Sequence, residues 1–218
     1  MIVDLSHPIH DGMVTYPGLP GPVFSDHLGR VESRERYAPG YEFHIGHIDM
    51  VTNTGTYLDT PFHRFADGHD LAGLDISRVA SVPGLLIDAT AGPVAGPDLL
   101  DDTELAGRAV LFRTGWDRFW GTDRYGDPSH PYLADATAER LVAGGAAVVG
   151  IDAVNIDGTA DGARPIHTIL LAAGVPIVEH LRGLDELIGA PFTFTAVPPA
   201  VVGLGTFPVR AFAAVARW

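Results

Sequence analysis

The chain has 218 residues, 46% of them apolar and 19% charged, with a formal net charge of −13 and no cysteine. That length and balance fit one filled core, read as a single domain over residues 1–218, and exclude a disordered chain. The acidity argues against a nucleic-acid partner, because counterion release needs clustered Lys and Arg and the 14 here are scattered.

In chain order, Ile2 to Leu5 reads as a short strand. The N-terminal residues lack the basic-then-apolar pattern of a signal peptide, and no apolar run nears the ~20 residues that cross a bilayer, so the expected setting is cytoplasmic, away from membranes. Tyr41 to Ile45 alternates apolar and polar side chains as a half-buried strand does, with a bulge expected at Gly46 where the alternation shifts. Gly84–Ile87, Ala109–Phe112, Ala147–Ile151, Val175–Val178, Phe192–Val197 and Ala211–Val215 read as short buried strands. Asp135 is the expected N-cap of a helix through Glu139, Leu141 and Val142 that stops at Gly144 or Gly145. Pro165 starts a second helix carrying His167, Leu170 and Leu171 and ending at Gly174. The 26 glycines and 17 prolines spread along the chain imply many short elements. Strands and helices mix without a strict βαβ rhythm, which predicts a compact mixed-sheet α/β fold. Gly203-Leu204-Gly205 lacks the third glycine and the following helix of a nucleotide loop.

Without cysteine there are no disulfides, thiolate nucleophiles or thiolate ligands, so any metal must sit on His, Asp or Glu. Two segments carry such residues. In Asn53-Thr54-Gly55-Thr56-Tyr57-Leu58-Asp59-Thr60-Pro61-Phe62-His63, the glycine and proline break regular structure around Asp59 and His63. These two form either an acid–base pair or a turn cap beside an ordinary surface histidine. In His167 to Glu179, the i, i+3, i+4, i+7 spacing puts His167 on the apolar face of its helix, and Glu179 ends an apolar strand. That pair reads either as a site facing a cleft or as a core histidine near a solvated glutamate.

The run Gly55-Thr56-x-x-Asp59-x-Pro61-x-His63 resembles the His-x-Gly-Thr-His-x-Asp-x-Pro-x-His signature of the kynurenine formamidase/cyclase family, which includes isatin hydrolases and polyketide-pathway cyclases. Val3-Asp4-Leu5-Ser6-His7-Pro8-Ile9, Tyr16-Pro17-Gly18, Arg113-Thr114-Gly115-Trp116, Gly150-Ile151-Asp152 through Asp157, Leu184-Asp185-Glu186-Leu187 and Pro208-Val209-Arg210-Ala211 extend the likeness over the whole chain. The resemblance implies a barrel-like mixed sheet with flanking helices, of the swivelling β/α type. It implies that Asp59, His167 and Glu179 are metal ligands and that His63 is the acid–base catalyst. It also implies a homodimer or homotetramer.

Two histidines of the signature are absent, with Asn53 and Tyr57 in their places. An amide oxygen is a poorer ligand than imidazole, and a phenol of pKa about 10 must lose a proton to bind a metal well. His44 and His47 lie too far along an extended strand to compensate, although both could line a cleft. The expectation is at most one divalent ion, Zn or Mn, at Asp59, His167 and Glu179, with the metal-free state preferred and Tyr57 hydrogen-bonding to Asp59 or Glu179. Tyr57, Asp59 and His63 are then the catalytic candidates, and Asn53, Phe65 and Trp116 the candidate contacts of a small aromatic substrate. Three functions are expected: hydrolysis of a C–N or ester bond, metal-independent cyclase or isomerase chemistry in natural-product biosynthesis, or non-catalytic binding of a small molecule.

Overall fold

The computed structural model describes residues 1–216. Thirteen strands are seen among them: β1 (Ile2–Asp4), β2 (Val23–Leu28), β3 (Ile45–Asp49), β4 (Tyr57–Asp59), β5 (Val82–Asp88), β6 (Val94–Ala95), β7 (Ala109–Arg113), β8 (Tyr132–Leu133), β9 (Val148–Ile151), β10 (Ile177–Glu179), β11 (Phe192–Thr195), β12 (Thr206–Pro208) and β13 (Phe212–Val215). Nine form one curled, half-barrel sheet in the order β1-β13-β11-β5-β7-β9-β10-β4-β12. Its centre, β5-β7-β9-β10, is parallel, and both flanks are antiparallel.

The parallel centre follows from composition. Ala109–Phe112 and Val148–Ile151 are buried along their whole length, as strands covered on both faces must be. Their side chains alternate between two apolar layers. Val110, Phe112, Val149 and Ile151 pack under the helices, while Ala109, Leu111 and Val148 join Leu58, Val178 and Phe194 inside the curl. The helices that cover the first layer are α2 (Asp135–Ala143) and α3 (Pro165–Ala172); a third, α1 (Arg30–Ser33), is a single turn.

Most expected elements appear with ends shifted by a residue or two, and three expectations are corrected. Asp135 is the first helical residue, and Ala134 is the N-cap with no side-chain bond. Tyr41–His44 is not a strand: β3 begins at Ile45 and pairs with β2 as a two-stranded ribbon, and all five of its residues are exposed. The alternation that suggested half-burial has no core beneath it. The irregularity expected at Gly46 lies across the ribbon, between Asp26 and Leu28 of β2.

One backbone approach fixes the ground under the site. The amide of Thr60 donates to the carbonyl of Gly205 at 2.7 Å, and a Cβ on Gly205 would meet the backbone nitrogen of His63 at 2.2 Å. The glycine that resembled part of a nucleotide loop therefore lets β12 close on the turn bearing His63. Gly205→Ala should cost about 1–3 kcal/mol as that turn is pushed away, read as a lower denaturation midpoint; an unchanged midpoint would contradict the contact.

Candidate active site

The site is built on β4, whose two neighbours in the sheet are β10 and β12. Register places Glu179 of β10 opposite Tyr57 and Thr206 of β12 opposite Asp59. Strand alternation sends Tyr57 and Asp59 to one face and Leu58 into the core on the other. Each opposed pair then bonds directly. The Tyr57 phenol donates to Glu179 Oε2 at 2.6 Å, and the Thr206 hydroxyl donates to Asp59 Oδ1.

His63 enters through the 3₁₀ turn Pro61–His63 that follows β4. Its Nδ1 lies 2.8 Å from Thr206 Oγ1. The threonine has one proton and gives it to Asp59, so Nδ1–H must be the donor in that contact. In the neutral ring this arrangement would put the lone pair on Nε2, and 36% of the side chain is exposed. Asp59, Thr206 and His63 thus form a hydrogen-bonded chain from a fully buried carboxylate to a histidine on the cavity wall.

His167 is held differently. Asp157 Oδ1 accepts the Ile166 amide at 2.7 Å, and Oδ2 accepts the His167 amide at 3.1 Å. The carboxylate therefore satisfies two free donors at the start of α3, just after Pro165, which has none. Oδ2 also lies 2.6 Å from His167 Nδ1, orienting the ring so that Nε2 lies 3.7 Å from both Asp59 Oδ2 and Glu179 Oε1. Glu179 Oε1 accepts the Ile156 amide at 2.7 Å.

The charges explain one another. Burial opposes ionisation of Asp59, yet His63, His167 and the Thr206 hydrogen bond hold its carboxyl below the usual range. Burial and the neighbouring Asp59 charge push Glu179 up. Burial would depress His167, but Glu179, Asp157 and Asp59 override it and raise the ring above its ordinary value. Burial, then the Glu179 charge, pushes the Tyr57 phenol well above 10, so it stays a proton donor.

Asp59 Oδ2 is a buried oxygen with no hydrogen-bond partner. It belongs to a group, Asp59, His63 and His167, whose ligand atoms all lie within 4.8 Å of one another. Carboxylate and imidazole donors at that spacing, with one imidazole backed by a second carboxylate, suit a single divalent ion. Such an ion and a proton compete for His167 Nε2.

A cavity of about 480 Å³ opens on this group, lined by Tyr16, Leu19, Asn53, Tyr57, His63, Arg64, Asn155, Arg164, His167 and Glu179 among others. Asn53 is on its wall as expected; Phe65 and Trp116 are not. Phe65 faces a separate cavity with Pro61, His69 and Leu171. Trp116 is buried in the core, its indole N–H donating to the Tyr125 carbonyl at 2.9 Å. The wall's aromatic groups are Tyr16 and Tyr57 instead. His44 and His47 line none of it: both are on or beside the exposed ribbon, and His44 Nε2 lies 2.8 Å from Asp26 Oδ1. Sequence reading assigned no role to Thr206 or Asp157. Thr206 is 143 residues from its histidine and carried no signal. Asp157, ten residues before its histidine and ahead of the helix-starting Pro165, left a faint one.

Behind Tyr57 lies a second buried pair. The His7 ring stacks on Trp120 with centroids 3.9 Å apart. His180, at φ +57°, has its Nδ1 2.8 Å from the Tyr125 hydroxyl. Neither Nε2 has a partner. Burial pushes His7 down to about 4 and His180 down to about 3.

The curled sheet brings a carboxylate–histidine hydrogen-bonded chain and a carboxylate-backed histidine to one cavity. The family model described as "Putative cyclase" matches residues 3–158, and the chain belongs to this cyclase family. It is 27% identical over 212 residues to the kynurenine formamidase of Geobacillus thermodenitrificans, covering 96% of this chain and 95% of that one. It is 28% identical over 210 residues to that of Bacillus cytotoxicus, with the same coverage. Among solved structures, one described as a potential metal-dependent hydrolase with cyclase activity superposes with a TM-score of 0.79 at 26% identity, covering 98% of this chain and 96% of that one. Isatin hydrolase A of Ralstonia solanacearum shares the fold, with a TM-score of 0.81 at 21% identity over 98% of this chain and 91% of that one. These matches point to a hydrolase of the cyclase family. No described helix is long and apolar enough to cross a membrane.

The buried histidine pair gives the site a signature in acid. A histidine whose folded pKa is depressed costs nothing above 6.5, and its neutral state is penalised as pH falls from 6.5 toward the folded value. For His7 that window is 6.5 to about 4, at roughly 1.4 kcal/mol per pH unit. His7→Phe keeps a ring against Trp120 and removes this titration. Its stability should fall less steeply over that window, with about one proton fewer taken up on unfolding. Equal slopes for the two proteins would contradict a neutral, buried His7.

Proposed function

We propose that this protein hydrolyses an amide, lactam or ester bond of a small aromatic metabolite in the cavity over Asp59, His63 and His167. The observation that carries this reading is the hydrogen-bonded chain Asp59–Thr206–His63, which holds the His63 ring at the cavity beside the unpartnered Asp59 Oδ2. In the proposed reaction, His63 Nε2 takes a proton from a water molecule as its oxygen attacks the carbonyl carbon. The His63 imidazolium then returns that proton to the departing nitrogen or oxygen, and Asp59 steadies the transient positive charge through Thr206. The water's oxygen ends on the acyl product and the leaving group departs protonated.

The donor set suits one divalent ion held by Asp59 and His167, whose facing atoms lie 3.7 Å apart. When bound, such an ion would supply Lewis-acid polarisation of the carbonyl. A second ion would find Asn53 and Tyr57 where the family signature has imidazoles. Tyr57 keeps its proton and spends it on Glu179. Its role in this reading is to hold Glu179 in place, with Asn53 contacting substrate on the same wall. The proposal extends to a cytoplasmic homodimer or homotetramer, a state that light scattering on the purified protein measures directly.

The kynurenine formamidase and isatin hydrolase relatives suggest the first substrates to try, N-formylkynurenine and isatin. Turnover of either, falling by about 10²–10⁴ in kcat/KM in His63→Ala, is the expected result. Turnover unchanged by that variant would remove His63 from the mechanism. Cyclisation or isomerisation without water incorporation, followed with ¹⁸O-labelled water, would favour the cyclase alternative, and ligand binding without turnover the non-catalytic one.

Elemental analysis gives a separate measure of the ion site. At most one equivalent of Zn or Mn per chain is expected, lost in Asp59→Asn. Two equivalents would overturn the single-ion reading.

A further inference from the structure

We infer that the substrate of this cavity carries a carboxylate, gripped at the rim by Arg64 and Arg164. The inference rests on the cavity being the substrate site proposed above. Arg64 immediately follows His63, and Arg164 is the N-cap of α3, three residues before His167. Their side chains line the same cavity as those histidines. Among the described residues neither guanidinium has a carboxylate within 4 Å, a state shared by Arg30, Arg78, Arg108, Arg118, Arg124 and Arg182, but only Arg64 and Arg164 line this cavity. Glu179, the carboxylate on the cavity wall, is buried and committed to Tyr57 and the Ile156 amide.

Both arginines are held in position by neutral groups. Arg64 Nε donates to Thr168 Oγ1 at 3.3 Å, and the same hydroxyl donates to the Arg164 carbonyl at 2.7 Å, tying the two rim positions together. Arg164 Nη1 donates to the carbonyls of Asp161 at 2.9 Å, Ala163 at 2.5 Å and Gly158 at 3.4 Å. Nη2 of each arginine makes no hydrogen bond among the described residues. A guanidinium anchored at one end, with donors left over at the other, loses little entropy on taking a planar anion. The position of this charge also matters, because a chain of net charge −13 repels anions in general. Two cations at one cavity mouth offset part of that field locally. A volume of about 480 Å³ holds one substituted ring with its carboxylate.

Paired ligands isolate the charge from the ring. Dissociation constants of anthranilate and of its neutral isostere anthranilamide would be measured by NMR titration against wild type, Arg64→Gln, Arg164→Gln and the double variant. Wild type should prefer anthranilate by about ten-fold or more. Either single variant should cut that preference at least about three-fold and the double variant should abolish it, with anthranilamide affinity unchanged. Equal affinities in wild type, no binding of either ligand, or a preference that survives in the double variant would overturn the inference. So would an equal loss for both ligands in Arg64→Gln. That exposed position decides the matter if Arg164→Gln loosens its loop. His63→Ala should retain the preference, so failure of the hydrolytic reading and failure of the anion grip show up in different measurements.

Discussion

A carboxylate with no solvent exposure needs compensation from its surroundings, and around Asp59 that need organises the whole cavity. A three-residue strand holds it between two neighbours whose registers are fixed at the same residue. On one side Thr206 supplies a proton, and on the other Ile177 seals the layer beneath the helices. The compensation is partial, since Oδ1 is satisfied by Thr206 and Oδ2 is left facing His167. A fully bonded aspartate would be a structural residue. One with an unpartnered oxygen next to two imidazoles is suited to hold a cation or a proton in motion.

The second carboxylate, Glu179, and the second histidine, His167, complete an alternation of charge that no member sustains alone. Asp157 holds His167 from behind while also satisfying the first amides of α3, so helix placement and ring orientation are one event. Tyr57 replaces an imidazole of the family signature with a hydroxyl that donates to Glu179. The substitution changes the chemistry of the wall from ligand to hydrogen-bond donor while the strand register that places residue 57 stays in use.

Elements read well from sequence where their own composition decided them. The continuous apolar runs of β7 and β9 announced strands buried on both faces, and Pro165 with the periodic His167, Leu170 and Leu171 announced α3. Readings failed where a local pattern lacked the tertiary surface it implied. The alternation of Tyr41–Ile45 met no core, and Trp116 turned its ring into the core with an internal carbonyl for its N–H. Phe65, two residues past His63 and just beyond the 3₁₀ turn Pro61–His63, packs toward a different cavity.

By itself the sequence determined the mixed sheet, from residue type and short-range spacing, and through its resemblance to the cyclase family it singled out four titratable groups, Asp59, His63, His167 and Glu179. Only the tertiary structure decided which of their atoms are free. Thr206 is 147 residues from Asp59, and Tyr57 is 122 from Glu179. Strand register brings these partners together, and register depends on the whole sheet closing rather than on any segment within it. The tautomer of His63, the bare oxygen of Asp59 and the two guanidiniums at the rim are consequences of that closure.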